Sequence, residues 1–506
     1  MSSNEQQLSG PDFARGIPAS DIVDGKMLLG HFDGEAVLLA KTGAEIFAVG
    51  ATCTHYNGPL AEGLMVGDTV RCPWHHACFS LRTGEALRAP ALNPVSCFRI
   101  EESGETVFVR EKIEKSPKQQ VKPDSHVRSV VIVGGGAAGN AAAEMLRRQE
   151  FKGTVTILSA DDALPYDRPN LSKDYLAGNA SEDWIPLRTQ DFYNEQKIDV
   201  RLKTRVVAID TVEREVTLAD GSRVAFDALL LATGAVPFRL DIPGAGLPHV
   251  HYLRTLDDSR ALIAKTKDAK RAVVIGASFI GLETAASLRA RDIEVHVVGP
   301  QSRPLERVLG AELGDMIRAI HEERGVVFHF GTTAVAIDED MVTLKSGDRI
   351  PADLVVAGIG VQPDTALAKA AGLTIDNGVV VDQYLQTSVP GIYAAGDIAR
   401  WPDPHSGAPI RVEHWVVAER QGQTAAINML GGRQPFDAAP FFWSQHFDVT
   451  VSYVGHAEKW DKIEIDGDPS SRDCKVTYLK SGRALAVATV SRDIDSLRAE
   501  VELESS

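Results

Sequence analysis

The chain has 506 residues, 44% hydrophobic and 24% charged, enough apolar material for about three or four domains of ordinary size. Asp and Glu number 69 against 53 Lys and Arg, and the net charge of -16 argues against nucleic-acid binding. No apolar run approaches the ~18 residues of a membrane span, and MSSNEQQLSGPDFARG has no leader pattern, so a cytoplasmic protein without membrane contact is expected.

Residues 1–112 read as strands. GEAVLLAKTGAEIFAVGATC alternates apolar and polar positions with turns at Asp33-Gly34 and Gly43, and ETVFVREKI closes the segment. Four of the five cysteines lie here (Cys53, Cys72, Cys78, Cys97), with Cys474 far downstream. So few cysteines make no disulfide framework, but clustered ones are candidates for metal. Cys53-Thr54-His55 and Cys72-Pro73-Trp74-His75 are separated by 16 residues. Two thiolates and two imidazoles suit tetrahedral zinc or a Rieske [2Fe–2S] cluster, although C-x-H is tight for a zinc finger. Residues 113–126, charged and without apolar period, read as a linker.

Beyond the linker the texture changes. SVVIVGGGAAGNAAAEMLRR is a buried strand, a glycine turn and a helix, and Gly134-x-Gly136-x-x-Gly139 sets a pyrophosphate site at the helix N-terminus. The acid expected at the ribose is Asp161 or Asp162. RAVVIGASFIGLETAASLRARDIEVHVVG repeats the plan with Gly276-x-Ser278-x-x-Gly281, Ser replacing the middle glycine. Two such βαβ units imply a doubly wound α/β body with two Rossmann-like nucleotide-binding domains, one over 127–250 and 366–437, the other over 251–365. Residues 438–506 read as a small α+β C-terminal domain, a sheet with a helix cap.

The segments CTHYNGPL and RCPWHHACFSLRTGEAL resemble the two ligand loops of Rieske ferredoxin domains. The resemblance implies that Cys53 and Cys72 hold one iron and His55 and His75 the other. Gly58 and Trp74 stand where high-potential members carry a disulfide, and Ala77 where they carry Ser. Fewer donors to the sulfurs imply a potential toward the lower end of the Rieske range, about -150 mV. His76 is expected as a neighbour and not a ligand, and Cys78 and Cys97 as core residues.

LPYDRPNLSKDYL (164–176), LLLATGAVP (229–237), DLVVAGIGVQPD (353–364) and GIYAAGDIAR (391–400) resemble flavoprotein pyridine-nucleotide reductases. The likeness is to the oxygenase-type ferredoxin reductases and the Rieske-fused, apoptosis-inducing-factor-like branch. It implies FAD on the first fingerprint and NADH or NADPH on the second, with Thr233, Gly234, Gly360 and Gly396 in turns against the cofactors. Asp397 is implied on the FAD ribityl chain. Arg168 and Lys173 would lie by the flavin, with Glu283 as the acid partner of Lys173, and these two form the candidate catalytic pair. Glu413, His414 and Trp415 would pack on the isoalloxazine edge, and Trp443 would be interface or core. No Cys occurs between residues 127 and 473, so the flavin has no protein disulfide to reduce.

The expectation is an NAD(P)H-dependent ferredoxin reductase with its own Rieske centre. It would pass electrons to a protein acceptor such as a ferredoxin, an oxygenase or a cytochrome P450 system, as a monomer or homodimer. The rival reading is a slow redox sensor of the apoptosis-inducing-factor kind. Arg303 is the one cation near the end of EVHVVG that could meet a 2′-phosphate, with Glu306 near enough to neutralise it.

Overall fold

The computed structural model describes residues 9–113 and 126–505. The expected linker lies outside the described residues except for its ends, Ile113 and His126. Two contact units emerge: residues 9–113 together with 493–505, and residues 126–492.

The first unit holds an antiparallel six-stranded sheet in the order Ile17–Pro18, Thr106–Ile113, Cys97–Ser103, Glu45–Gly50, Glu35–Thr42, Met27–Phe32. The alternation along Glu35–Thr42 serves two apolar clusters. Leu38 and Ala40 join Val49, Leu60 and Phe79, whereas Val37 and Leu39 join Phe13, Phe98 and Val109. A second sheet of four short strands runs Leu64–Val66, Thr69–Arg71, Cys78–Ser80, Ala86–Arg88. Both candidate ligand loops grow from these strands, the first after Glu45–Gly50 and the second between Thr69–Arg71 and Cys78–Ser80.

The second unit holds two parallel sheets. One runs Ile198–Arg201, Thr154–Leu158, Ser129–Val133, Ala228–Leu231, Ile392–Ala394; the other runs Val250–Tyr252, Leu354–Ala357, Arg271–Ile275, Glu294–Gly299, Val326–Phe330. Val130, Val131, Ile132 and Leu229 to Leu231 are all buried, as expected of parallel strands covered on both faces. Helix α1 (Ala137–Arg148) follows the first glycine turn and helix α2 (Phe279–Arg289) the second. Helix α3 (Trp415–Met429) lies against α1 so closely that a Cβ on Gly422 would sit 2.2 Å from the Ala138 carbonyl oxygen. This crossing brings the start of α3 to the first glycine turn. A five-stranded antiparallel sheet from Phe441–His446 to Arg483–Val490 completes the unit.

The last helix, α4 (Asp493–Glu504), groups by its contacts with the first unit. The helix expected as the cap of the sheet in 438–506 thus makes its contacts with the N-terminal unit. The helix carries Glu500 and Glu504, and these pair with Arg71 and Arg88 of the N-terminal unit. Among the described residues no helix is long and apolar enough to cross a membrane.

Candidate metal centre and nucleotide clefts

The two Cys/His loops share one backbone plan. Cys53 N–H donates to the Gly58 carbonyl (2.9 Å) and Asn57 N–H to the Cys53 carbonyl (3.1 Å). In the second loop Cys72 N–H donates to Ala77 (2.8 Å) and His76 N–H to Cys72 (3.2 Å). Asn57 and His76 hold the same place in each turn, with φ of 60° and 61°. The turns face each other. His55 Nδ1 and His75 Nδ1 are 3.2 Å apart, and their rings meet edge to face. The Cys53 and Cys72 thiols hydrogen-bond to one another, which holds the Cys53 thiol up and the Cys72 thiol down. Burial lowers His55 to about 3, so its ring is a neutral donor at neutral pH. Two buried sulfurs on one side and two convergent Nδ1 atoms on the other are the donor set that a Rieske cluster needs.

Gly58 brings the first loop close against the second. A Cβ at this position would lie 2.7 Å from Cys72 Sγ and 3.3 Å from the Trp74 ring. His76 is fully buried and turns to α4, so it is a neighbour of the loop as expected. Cys78 and Cys97 are buried core residues, as expected.

In the second unit a cleft of about 680 Å³ is lined by Gly136, Arg168, Lys173, Gly234, Ser278, Glu283, Gly360, Gly396, Asp397 and the Glu413–Trp415 stretch. A second cleft of about 790 Å³ shares Gly136, Arg168 and Gly234, and adds Gly134, Asp161, Asp162 and Thr233. Gly139, Gly276 and Gly281 line neither. A Cβ on Gly139 would sit 2.0 Å from the Gly134 oxygen, and one on Gly281 2.1 Å from the Gly276 oxygen. These glycines let each helix close on its strand and do not touch ligand space.

The two helix starts differ. Gly136 caps α1 without a side chain, leaving the first amides of the helix free of a side-chain acceptor. Ser278 caps α2 itself, its Oγ accepting from Gly281 N–H (3.2 Å) and donating to the Gly358 carbonyl (2.8 Å). The open start is the better pyrophosphate cradle. At the ribose end Asp161 is oriented by the Tyr166 hydroxyl, which donates to it at 2.7 Å, while Asp162 faces Lys203 at 3.8 Å.

Lys173 and Glu283 meet as the resemblance implied, Nζ to Oε2 at 2.8 Å. Two residues given no role in the sequence analysis complete the contact. Ser172 Oγ donates to the same oxygen at 2.6 Å and Ser444 Oγ to the other at 2.7 Å. Asp397 also has an unforeseen partner, Arg254, at 2.7 Å. Burial and nearby Arg168 push the Arg254 guanidinium below its usual range. Arg411 donates to the Asp397 main-chain oxygen at 3.0 Å and to Glu413 at 2.5 Å. The buried Nε of Arg168 and Nδ1 of His414 have no partner among the described residues, and burial lowers His414 to about 3. Polar atoms buried without partners in an apolar-walled cleft fit a flavin with a polar rim. Trp443 lines this cleft as well. Glu419, a turn beyond Trp415, is buried, and that burial with the nearby Asp167 and Glu144 pushes its carboxyl well above the usual range.

Arg303 is already engaged by two carboxylates. It pairs with Asp315 at 2.7 Å and Glu306 at 3.3 Å.

Comparison with known proteins agrees with this geometry. The pyridine nucleotide-disulphide oxidoreductase model matches residues 128–422, the Rieske [2Fe-2S] domain model 15–99 and the reductase C-terminal model 441–502. Human apoptosis-inducing factor 3 is 32% identical over 492 residues, covering 94% of this chain and 81% of that protein. Putidaredoxin reductase CamA of Pseudomonas putida is 37% identical over 377 residues, 72% of this chain and 89% of its own. The solved covalent putidaredoxin reductase–putidaredoxin complex superposes with a TM-score of 0.72 at 35% identity, covering 74% of this chain and 93% of that one.

Proposed function

Because the chain belongs to the pyridine nucleotide-disulphide oxidoreductase family and carries a Rieske [2Fe-2S] domain ahead of it, we propose that it feeds electrons from NADH to the oxygenase or cytochrome P450 component of a cytoplasmic system. FAD supplies a hydride acceptor that releases electrons singly, and the [2Fe–2S] cluster takes one electron at a time. The observation that carries the reading is the coexistence, in one chain, of a Cys₂His₂ loop pair and a nucleotide cleft without any cysteine.

The roles of this chain's residues follow from the site. The α1 start and Asp161 hold the FAD pyrophosphate and ribose, and Asp397, fixed by Arg254, holds the ribityl chain. Glu283 keeps Lys173 in place as a fixed cation beside the ring, held from its other oxygen by Ser444. Such a cation stabilises negative charge on a reduced ring. Glu413, His414 and Trp415 close the ring edge and keep water from it. Ser278 at the α2 start would seat NADH, with Gly276 and Gly281 letting the helix close on its strand, and the pairing of Arg303 with Asp315 and Glu306 weakens the case for NADPH.

The test is EPR of protein reduced by NADH and, separately, by dithionite. A Rieske signal in both supports the reading, and a cluster that dithionite reduces but NADH does not overturns it. The full-length likeness to apoptosis-inducing factor 3 favours a second reading, a slow redox sensor. Fast NADH-driven reduction of ferricyanide or cytochrome c excludes it.

A further inference from the structure

Helix α4 ends the chain, yet its side chains reach the second ligand loop. Glu500 is fully buried and touches both ends of that loop. Arg71, the residue before Cys72, lies 2.6 Å from its Oε2, and His76 Nδ1, from the residue after His75, lies 3.3 Å from the same oxygen. Ser496 Oγ meets the other ring nitrogen, His76 Nε2, at 3.2 Å. Glu504 adds a second carboxylate, 2.8 Å from Arg71 and 2.5 Å from Arg88. Arg71, His76, Ser496 and Glu500 are all buried.

His76 occupies a left-handed backbone position, where a side chain costs energy and glycine is the easy choice. Asn57, its counterpart in the first loop, is a residue that tolerates this conformation well. A histidine there makes sense when its ring is held elsewhere, and on α4 Ser496 meets one ring nitrogen while Glu500 lies 3.3 Å from the other. Strained positions persist where their surroundings over-determine them.

We propose that Glu500 is a positioning residue for the [2Fe–2S] cluster, clamping the Cys72–His75 loop at both ends through Arg71 and His76. The last helix is then a working part of the metal domain. Its two carboxylates balance Arg71 and Arg88, so neutralising Glu500 leaves excess positive charge beside the iron loop, which favours an added electron.

The experiment compares full-length Glu500→Gln and His76→Gly with wild type. It reads iron per FAD, the rate of cluster loss to a chelator, the EPR g values, and the cluster midpoint potential at one pH. Glu500→Gln is expected to raise the midpoint potential and to speed cluster loss about tenfold, the usual cost of an outer-sphere partner. His76→Gly fits the backbone without strain and removes both ring contacts, so it should also speed cluster loss and alter the g values. Flavin content and the rate of flavin reduction by NADH should stay at wild-type values. If Glu500→Gln fails to fold, His76→Gly decides alone. Wild-type potential, spectrum and lifetime in the variants that fold overturn the proposal. Zinc without iron in the wild-type protein would overturn the cluster assignment, and this proposal with it.

Discussion

The metal centre and the flavin cleft reach their chemistry by opposite routes. Four candidate ligands, all between Cys53 and His75, converge because two short turns repeat one hydrogen-bond plan. The clefts of the second unit gather residues from Val133 to Glu458, several of them glycines. In the first case function rests on side-chain identity at single atoms, so loss should be all or none. In the second it is spread over a wide cradle, so loss should come in increments.

The sharpest way to break the comparison is Cys72→Ser. It should remove the cluster's iron while leaving FAD content and NADH-driven bleaching of the flavin intact, as iron analysis and visible spectra will show. Partial retention of a normal cluster would contradict the all-or-none expectation. Asp397→Ala tests the other half. It leaves Arg254 buried beside Arg168 without its carboxylate, and it should weaken FAD by about 2 kcal/mol, roughly 30-fold, by flavin titration of the apoprotein. An iron signal unchanged in this variant would show that the two sites fail separately.

Acid sensitivity of the flavin unit has an identifiable source. His446 is held at about 3 by burial, against an ordinary value near 6.5, and its partner His321 is lowered too. Between those values the unfolded chain binds a proton that the folded one refuses. Stability of the flavin unit should therefore fall as pH drops below about 6.5, and this group contributes no slope above it. His446→Gln should flatten the acid limb by up to about 1.4 kcal/mol per pH unit, read from denaturant melts followed by flavin fluorescence. An unchanged limb would mean that His446 does not drive the acid loss.

The smallest effect concerns coenzyme choice. With Arg303 engaged by Asp315 and Glu306, wild type should favour NADH by less than about tenfold in kcat/KM, the equivalent of 1.4 kcal/mol. Gly299→Glu should widen that preference by repelling a 2′-phosphate. A hundredfold preference for NADPH in wild type would show that Arg303 leaves its carboxylates for the phosphate.

Short-range patterns were legible in the sequence by itself. C-x-H and C-x-x-H narrowed the metal to two choices, strand-turn-helix glycine motifs marked two nucleotide sites, and the missing cysteines removed disulfide chemistry. These signals survive because a turn or a helix start is built by neighbours in the chain, and its residue preferences are local. Resemblance supplied Lys173 and Glu283, which lie 110 positions apart. Nothing local marked Ser444 on Glu283 across 161 positions, Arg254 on Asp397 across 143, or Glu500 on Arg71 across 429. Such pairs depend on where the chain returns after crossing whole sheets, and an isolated arginine or serine has the same preferences wherever it lands. The acidic last helix read as a cap on the sheet before it. Only the tertiary structure decided that its buried carboxylates face Arg71 and Arg88, because a buried charge settles where its counter-charge is.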